Sequence, residues 1–317
     1  MTGRPRKRAK CAFGPALAGP NAHLAHRGTW RRWRRWPGVS VPNAHLSASI
    51  VAFCAFEPVG GEAEALDEIC EGHLMNDKTL VGVGVGPGDP ELVTVKGVRV
   101  LQAADLVLVP VLDLAEEGRA EATVRANVSH DRIKRVVFAL NERTDRGRRE
   151  AAWDAAAHEA AMAFSGGART IAFATIGDPN VYSTFTYLAE TVRALVDGLT
   201  VTTVPGITAM QDLAARSGTV LCEGTETLTL LPLTAGLDAF RAALAGHDTV
   251  VGYKSGRHLP EVLMAVREAG RLAGAVHGAC LGLPGEDIRP AAEVTGPAPY
   301  LSVLVVPSKR TSRGGKL

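Results

Sequence analysis

Two turns of glycine, proline and aspartate recur at the ends of apolar runs, and they constrain this chain to strands that feed directly into helices. Gly86-Pro87-Gly88-Asp89-Pro90 follows the run Leu80 to Val85, and Gly177-Asp178-Pro179-Asn180-Val181-Tyr182-Ser183-Thr184-Phe185 follows Ile171 to Ile176. Each run is strand-like, and each turn opens into a segment with helical spacing. Each turn also carries an acid where a phosphate-binding loop wants backbone N–H groups and a Lys or Arg. An acid there suits a ligand with hydroxyls and positive charge, such as a nucleoside bearing an amine or a sulfonium. That chemistry points away from ATP and NAD and towards S-adenosylmethionine.

Tested as a dinucleotide fingerprint, the first turn fails. Gly82-x-Gly84 meets Pro87 where the third glycine belongs, Gly84-x-Gly86 meets Asp89, and the chain holds no Gly-Lys-Ser/Thr loop. What is left is a turn whose glycines allow close approach of backbone to a ligand and whose Pro87 fixes one dihedral. For this segment alone, a tight strand-to-helix connection without a ligand also accounts for the residues. A third turn, Pro205-Gly206-Ile207-Thr208-Ala209, ends another strand-like run. Because ligands of open α/β sheets sit beyond the carboxyl ends of strands, the three turns suggest one shared cleft, with coincidental turn chemistry as the alternative.

The 317 residues are long enough for two domains, and 46% hydrophobic with 21% charged residues is ordinary globular composition. No apolar run reaches the roughly 18–20 residues of a membrane span. Cys11, Cys54, Cys70, Cys222 and Cys280 show no metal-binding or disulfide spacing, so no protein-bound metal and a reducing cytoplasm are expected. Residues 1–74 carry 10 Lys+Arg against 6 Asp+Glu, whereas residues 75–317 carry 25 against 27. The basic excess therefore belongs to the front, which also holds Trp30-Arg31-Arg32-Trp33-Arg34-Arg35-Trp36 and Pro-Asn-Ala-His-Leu twice, at 20–24 and 42–46. A disordered extension, possible read-through ahead of Met75, is the expectation for 1–74. An arm for nucleic acid or membrane surface, and a targeting segment, are the alternatives.

From Met75 onward, short apolar runs alternate with longer helical segments, an α/β pattern. Strands are expected at Leu80 to Val85, Leu106 to Val109, Val136 to Leu140, Ile171 to Ile176 and Leu199 to Val204. Helices are expected after Thr94, over Gly147 to Phe164, over Ser183 to Val196 and from Thr208 through Arg216. The pattern restarts with strands at Leu228 to Leu233, Thr249 to Tyr253, His277 to Leu283 and Tyr300 to Val306, and helices at Leu237 to Leu244 and Leu259 to Glu268. These divide into an N-terminal α/β domain over 75–204, a C-terminal α/β domain over 205–308 and a frayed tail over 309–317.

Together the motifs resemble the tetrapyrrole (precorrin) methyltransferase family, over Thr79 to Val306. That family has Gly-x-Gly-Pro-Gly-Asp near the start, Gly-Asp-Pro-x-x-Tyr in the middle and Pro-Gly-Ile/Val-Thr/Ser before its second domain. Here they stand within Val83 to Asp89, Gly177 to Tyr182 and Pro205 to Thr208. The extended stretch Gly177 to Phe185, and the closing Pro299-Tyr300-Leu301-Ser302, look like the branch that methylates carbon 20 of precorrin-2 in cobalamin biosynthesis. Sister enzymes acting on another ring carbon, or on uroporphyrinogen, are the nearest alternative, and a catalytically inactive S-adenosylmethionine-binding protein is the other.

The resemblance implies two α/β domains with S-adenosylmethionine folded into the trough between them. By position, Pro87, Ile176, Gly177, Asp178, Val181, Thr208 and Ala209 line the cofactor pocket, and Tyr253 faces the cofactor. The strand end Val250-Val251-Gly252-Tyr253-Lys254 departs from the family's usual Leu-Met. A lysine aimed at a sulfonium is repelled, so Lys254 is expected to face substrate carboxylates or solvent, with Arg257 as a second candidate for the polycarboxylate substrate. Asp89 is the candidate proton acceptor, with a turn-building acid as the alternative. The family also implies a homodimer with a tetrapyrrole partner; no nucleic-acid or membrane partner is expected.

Overall fold

The computed structural model describes residues 78–138 and 145–312. The extension expected over 1–74, the end of the strand expected over Val136 to Leu140, and tail residues 313–317 lie outside them. The described chain builds two five-stranded sheets in succession.

The first sheet has the order β3-β2-β4-β1-β5, from β1 (Thr79–Gly84), β2 (Leu106–Val111), β3 (Ile133–Val137), β4 (Thr170–Thr175) and β5 (Thr200–Val204). All its pairings are parallel. A parallel sheet needs helices on both faces, and the strands show it: Leu80, Ile171 and Phe173 point into one core, and Val81, Val83, Ala172 and Ala174 into another. Helices α3 (Arg146–Ser165) and α4 (Phe185–Leu195) cover the first side, while α1 (Val95–Ala103) and α2 (Arg119–Asn127) cover the second. Thr94 caps α1, its Oγ accepting from the Gly97 N–H at 3.0 Å, as its position in the sequence suggests. Gly82 has a packing reason, because a Cβ there would lie 2.6 Å from the Phe185 ring.

The second sheet has the order β6-β7-β10-β8-β9, from β6 (Leu228–Pro232), β7 (Thr249–Tyr253), β8 (Val276–Ala279), β9 (Asp287–Pro290) and β10 (Ser302–Val306). Only β6 and β7 run parallel; β10 is antiparallel to both β7 and β8, and β8 to β9. Helices α6 (Leu237–Gly246) and α7 (Leu259–Glu268) pack on one face around Leu233, Phe240, Val250 and Leu304. On the other face α5 (Ala209–Ser217) places Leu213 against Val251, Val303 and Val305.

Two expectations are corrected and two elements are added. The third strand lies at Ile133–Val137, ahead of the expected Val136 to Leu140, because alternating exposure of Lys134 and Arg135 hides its edge position from an apolar-run search. The strand expected over His277 to Leu283 ends at Ala279, where Cys280 turns to φ +49°. Strand β9 and helix α2 are additions; both are polar outside a few contacts, and α2 buries Glu121 rather than a leucine stripe. Burial pushes the Glu121 pKa up, but hydrogen bonds from Arg135 (2.6 Å) and Arg125 (2.8 Å) outweigh it and hold the carboxyl below its usual range.

Candidate donor site at the strand ends

Strands β5, β1 and β4 lie side by side and end together, so their turns meet by topology alone. The Gly177 N–H donates to Gly86 O at 2.7 Å, forming an isolated bridge between the first two turns. The Gly206 N–H donates to Asp178 Oδ2 at 3.0 Å, tying in the third. Backbone approaches so closely that side chains are excluded. A Cβ on Gly206 would stand 2.1 Å from Gly177 O and 2.7 Å from Gly84 Cα, and one on Gly84 would stand 2.5 Å from Gly177 O. The glycines at 84 and 206 are required by the packing of the turns on one another.

Asp178 is therefore a knot. Its Oδ1 accepts from Asn180 N at 2.8 Å while Oδ2 holds Gly206, so both oxygens serve the turns themselves. The chemistry seen at Asp178 is turn-building. Asp89 behaves alike: Oδ1 accepts from Glu91 N at 2.9 Å and caps the short helix Pro90–Leu92. Pro87 is buried, and Ile176, Gly177 and Val181 are half-buried around the bridge.

The second sheet closes on these turns from the other side. Thr208 caps α5 through Gln211, whose Oε1 accepts from both Thr208 N and Thr208 Oγ1 at 2.9 Å. Next to Ala209, the Met210 N–H donates to the Tyr253 hydroxyl at 2.9 Å, joining β7 to the start of α5. Burial pushes the Tyr253 phenol pKa up, partly offset by that hydrogen bond. The Tyr253 ring stands 5.9 Å from that of Tyr182, which the turn after β4 supplies, and Lys254 lies beside both. Thr208, Ala209, Tyr253 and Lys254 are thus gathered with Val181. Arg257 is placed apart. It is exposed, donates to His258 Nε2 at 3.1 Å and lines a cavity of about 400 Å³ with Thr234, Leu237 and Glu261.

Three features escaped sequence reasoning. First, the loop after β8 presses on the Pro87 turn. A Cβ on Gly282 would stand 2.2 Å from Asp89 N, and one on Gly88 2.4 Å from Leu281 O. Arg216 secures that loop through two 2.5 Å bonds to Glu286, whose Oε2 accepts from Gly282 N at 2.7 Å. Nothing in the spacing of Gly88 and Gly282 announces this contact. Second, Asp212 on α5 is buried with Oδ2 lacking a hydrogen bond. Burial raises its pKa, against the pull of Arg216 at 3.8 Å. Third, Tyr182, Lys254 and Cys280 all hold φ between +49° and +62°. Each such residue costs on the order of 1–3 kcal/mol, and the cost is concentrated around this seam. Among the described residues no group of three or more His, Cys, Asp or Glu could hold a metal, and no helix is long and apolar enough to cross a membrane.

Residues 79–294 match the family described as Tetrapyrrole (Corrin/Porphyrin) Methylases. A precorrin-2 C(20)-methyltransferase from Sinorhizobium sp is 33% identical over 236 residues, covering 72% of this chain and 94% of that protein. The cobalamin biosynthesis protein CobIJ of Mycobacterium bovis is 32% identical over 73% of this chain, and the match spans 46% of that longer protein. Among solved structures, a cobalamin synthesis related protein (CobF) from Corynebacterium diphtheriae superposes with a TM-score of 0.53 at 19% identity, over 73% of this chain and 98% of its own; this likeness concerns the fold. The chain belongs to the tetrapyrrole (corrin/porphyrin) methylase family. It is accordingly an S-adenosylmethionine-dependent C-methyltransferase.

Proposed function

We propose that the protein methylates carbon 20 of precorrin-2, or its cobalt-loaded form, giving precorrin-3A in cobalamin biosynthesis. The observation that carries the donor half of this reading is the convergence of the three turns through the Gly86–Gly177 bridge and the Asp178–Gly206 bond. The substrate half rests on the 33% identity to the Sinorhizobium enzyme across 94% of its length and on the extended turn Gly177 to Phe185. The alternative is the sister reading, methylation of another ring carbon.

Bound S-adenosylmethionine supplies an activated methyl group for in-line displacement by a ring carbon. The chain's own part is position. Pro87, Ile176, Gly177, Asp178 and Val181 form one wall, Thr208, Ala209 and Tyr253 the other, and fixing the donor between rigid backbone removes much of the entropic barrier. Both oxygens of Asp178 are engaged by Gly206 and Asn180, so that acid holds the turns together. For the ring proton, Asp89 remains the candidate acceptor, through the carboxylate oxygen that does not cap Pro90–Leu92. Lys254 and Arg257 are the candidate cations for the substrate's carboxylates.

The test is incubation of the full chain with precorrin-2 and methyl-labelled S-adenosylmethionine, followed by NMR of the product. Label at carbon 20 is expected; label at any other carbon selects the sister reading. Parallel reactions with cobalt-loaded substrate separate the metal-free from the cobalt-first route, and light scattering reads the homodimer that the family resemblance implies.

A further inference from the structure

Among the described residues, the ammonium of Lys254 has no carboxylate partner, unlike Arg135, Arg216 and Arg310, which pair with Glu121, Glu286 and Glu226. It lies instead between two tyrosines from opposite sides of the seam. Nζ stands 5.3 Å from the Tyr182 ring centroid and 5.8 Å from that of Tyr300, both within the roughly 6 Å reach of a cation–π contact. Tyr182 comes from the turn after β4 and Tyr300 from the approach to β10. The backbone is committed to this placement. Tyr182 holds φ +52° and Lys254 φ +62°, a region that disfavours residues other than glycine. The Lys254 N–H donates to Ser302 O at 3.3 Å, and the Ser255 and Ser302 hydroxyls meet at 2.7 Å in a buried contact, pinning the Lys254 turn to the Tyr300 segment.

A held cation with aromatic faces on two sides and no counter-ion is built for an anion. It is also continuous with the donor wall, since Tyr253 precedes Lys254 and Val181 precedes Tyr182. The ligand group it receives cannot be the sulfonium, which the ammonium repels. Both rings are open to solvent, 44% exposed at Tyr182 and 36% at Tyr300, which suits the edge of a large ligand better than the enclosed end of a small one. We propose that Tyr182, Lys254 and Tyr300 form a clamp for a carboxylate of the polycarboxylate macrocycle. In it Lys254 is the anion-binding group, and Tyr182 and Tyr300 are positioning residues that hold the ammonium across the seam. The inference rests on the tetrapyrrole reading above and deepens it, selecting Lys254 over Arg257 as the cation that reads the substrate.

The test separates binding from catalysis. Full-length protein is titrated with uroporphyrin, a stable polycarboxylate porphyrin, and with its methyl ester, following porphyrin fluorescence; S-adenosylhomocysteine is titrated by calorimetry as the donor control. Lys254→Met is expected to weaken uroporphyrin binding about tenfold or more, to flatten its dependence on salt and to leave the ester unaffected, with donor affinity within about twofold. Tyr182→Leu and Tyr300→Leu should weaken uroporphyrin three- to fivefold, as an order-of-magnitude expectation of about that size for a lost cation–π contact. Tyr182→Phe should restore binding, and neither leucine change should add to Lys254→Met. Unchanged uroporphyrin affinity in Lys254→Met overturns the clamp, as do a loss confined to the donor or leucine effects that persist without Lys254. If the wild type binds uroporphyrin as described but methylates no tetrapyrrole, the clamp stands and the methyltransfer reading falls.

Discussion

Gly206→Ala puts the convergence of the turns to its sharpest test. The new Cβ would stand 2.1 Å from Gly177 O, 2.7 Å from Gly84 Cα and 2.8 Å from Gly84 C, all backbone atoms that no rotamer change can move. Ordinary carbon–oxygen contacts begin near about 3.3 Å, so one turn must retreat by about 1 Å. Overpacking of this kind costs about 1–3 kcal/mol. Retreat also stretches the 3.0 Å bond from Gly206 N to Asp178 Oδ2, and a hydrogen bond to a charged group is worth about 1.5–3 kcal/mol. A combined loss of about 2–5 kcal/mol should lower Tm by about 5–15 °C for a domain of this size. Because the displaced backbone is the proposed donor surface, Kd for S-adenosylhomocysteine should rise at least about tenfold, which corresponds to about 1.4 kcal/mol. Gly246→Ala is the control: nothing lies within 4 Å of its Cβ position at the end of α6, so a gain of about 0.5–1 kcal/mol is expected there. Differential scanning fluorimetry and calorimetry read both quantities. A Gly206→Ala protein with wild-type Tm and wild-type donor affinity would refute the reasoning.

Asp178→Ala, which frees the Gly206 and Asn180 amides together, should weaken donor binding more than tenfold by calorimetry. Asp178→Asn, which can keep one acceptor, should recover part of that loss, about 1–2 kcal/mol of the total. Gly282→Ala combines φ +66° with a Cβ 2.2 Å from Asp89 N, so it should lower Tm and raise KM for the donor although it lies outside the sequence motifs. His277 is buried with neither ring nitrogen hydrogen-bonded, and burial pushes its pKa below the ordinary value of about 6.5. The unfolded chain therefore takes up a proton more readily than the native one, and stability should fall as pH drops below about 6.5, by about 1.4 kcal/mol for each unit of depression. His277→Leu should flatten that dependence in urea melts between pH 5 and 8; an unchanged slope would show that another group governs it.

The first sheet was legible because its strands are buried on both faces and read as continuous apolar runs. Leu80 to Val85 and Ile171 to Ile176 each lie within a residue or two of their strands. The meeting of the three turns was legible for a related reason: glycine and proline at the ends of parallel strands announce turns, and parallel neighbours bring their ends together. Edge elements were not. Ile133–Val137 carries Lys134 and Arg135, and Arg119–Asn127 buries an ion-paired glutamate, so neither shows an apolar period. Long-range contacts without local chemistry stayed hidden as well, Gly282 against Asp89 above all. The bonds that Asp178 and Asp89 make within their own turns are a local matter: a carboxylate two residues before a free N–H can bond its own backbone, an option that composition and strand pattern do not reveal.

A crystal structure of the full chain with S-adenosylhomocysteine measures the account most directly. The ligand's sulfur and ribose should lie against Pro87, Gly177 and Ala209, beneath Tyr253. Electron density for the nucleoside in the opening beside Arg257 and Leu237, with the Gly86–Gly177 bridge left bare, would contradict it.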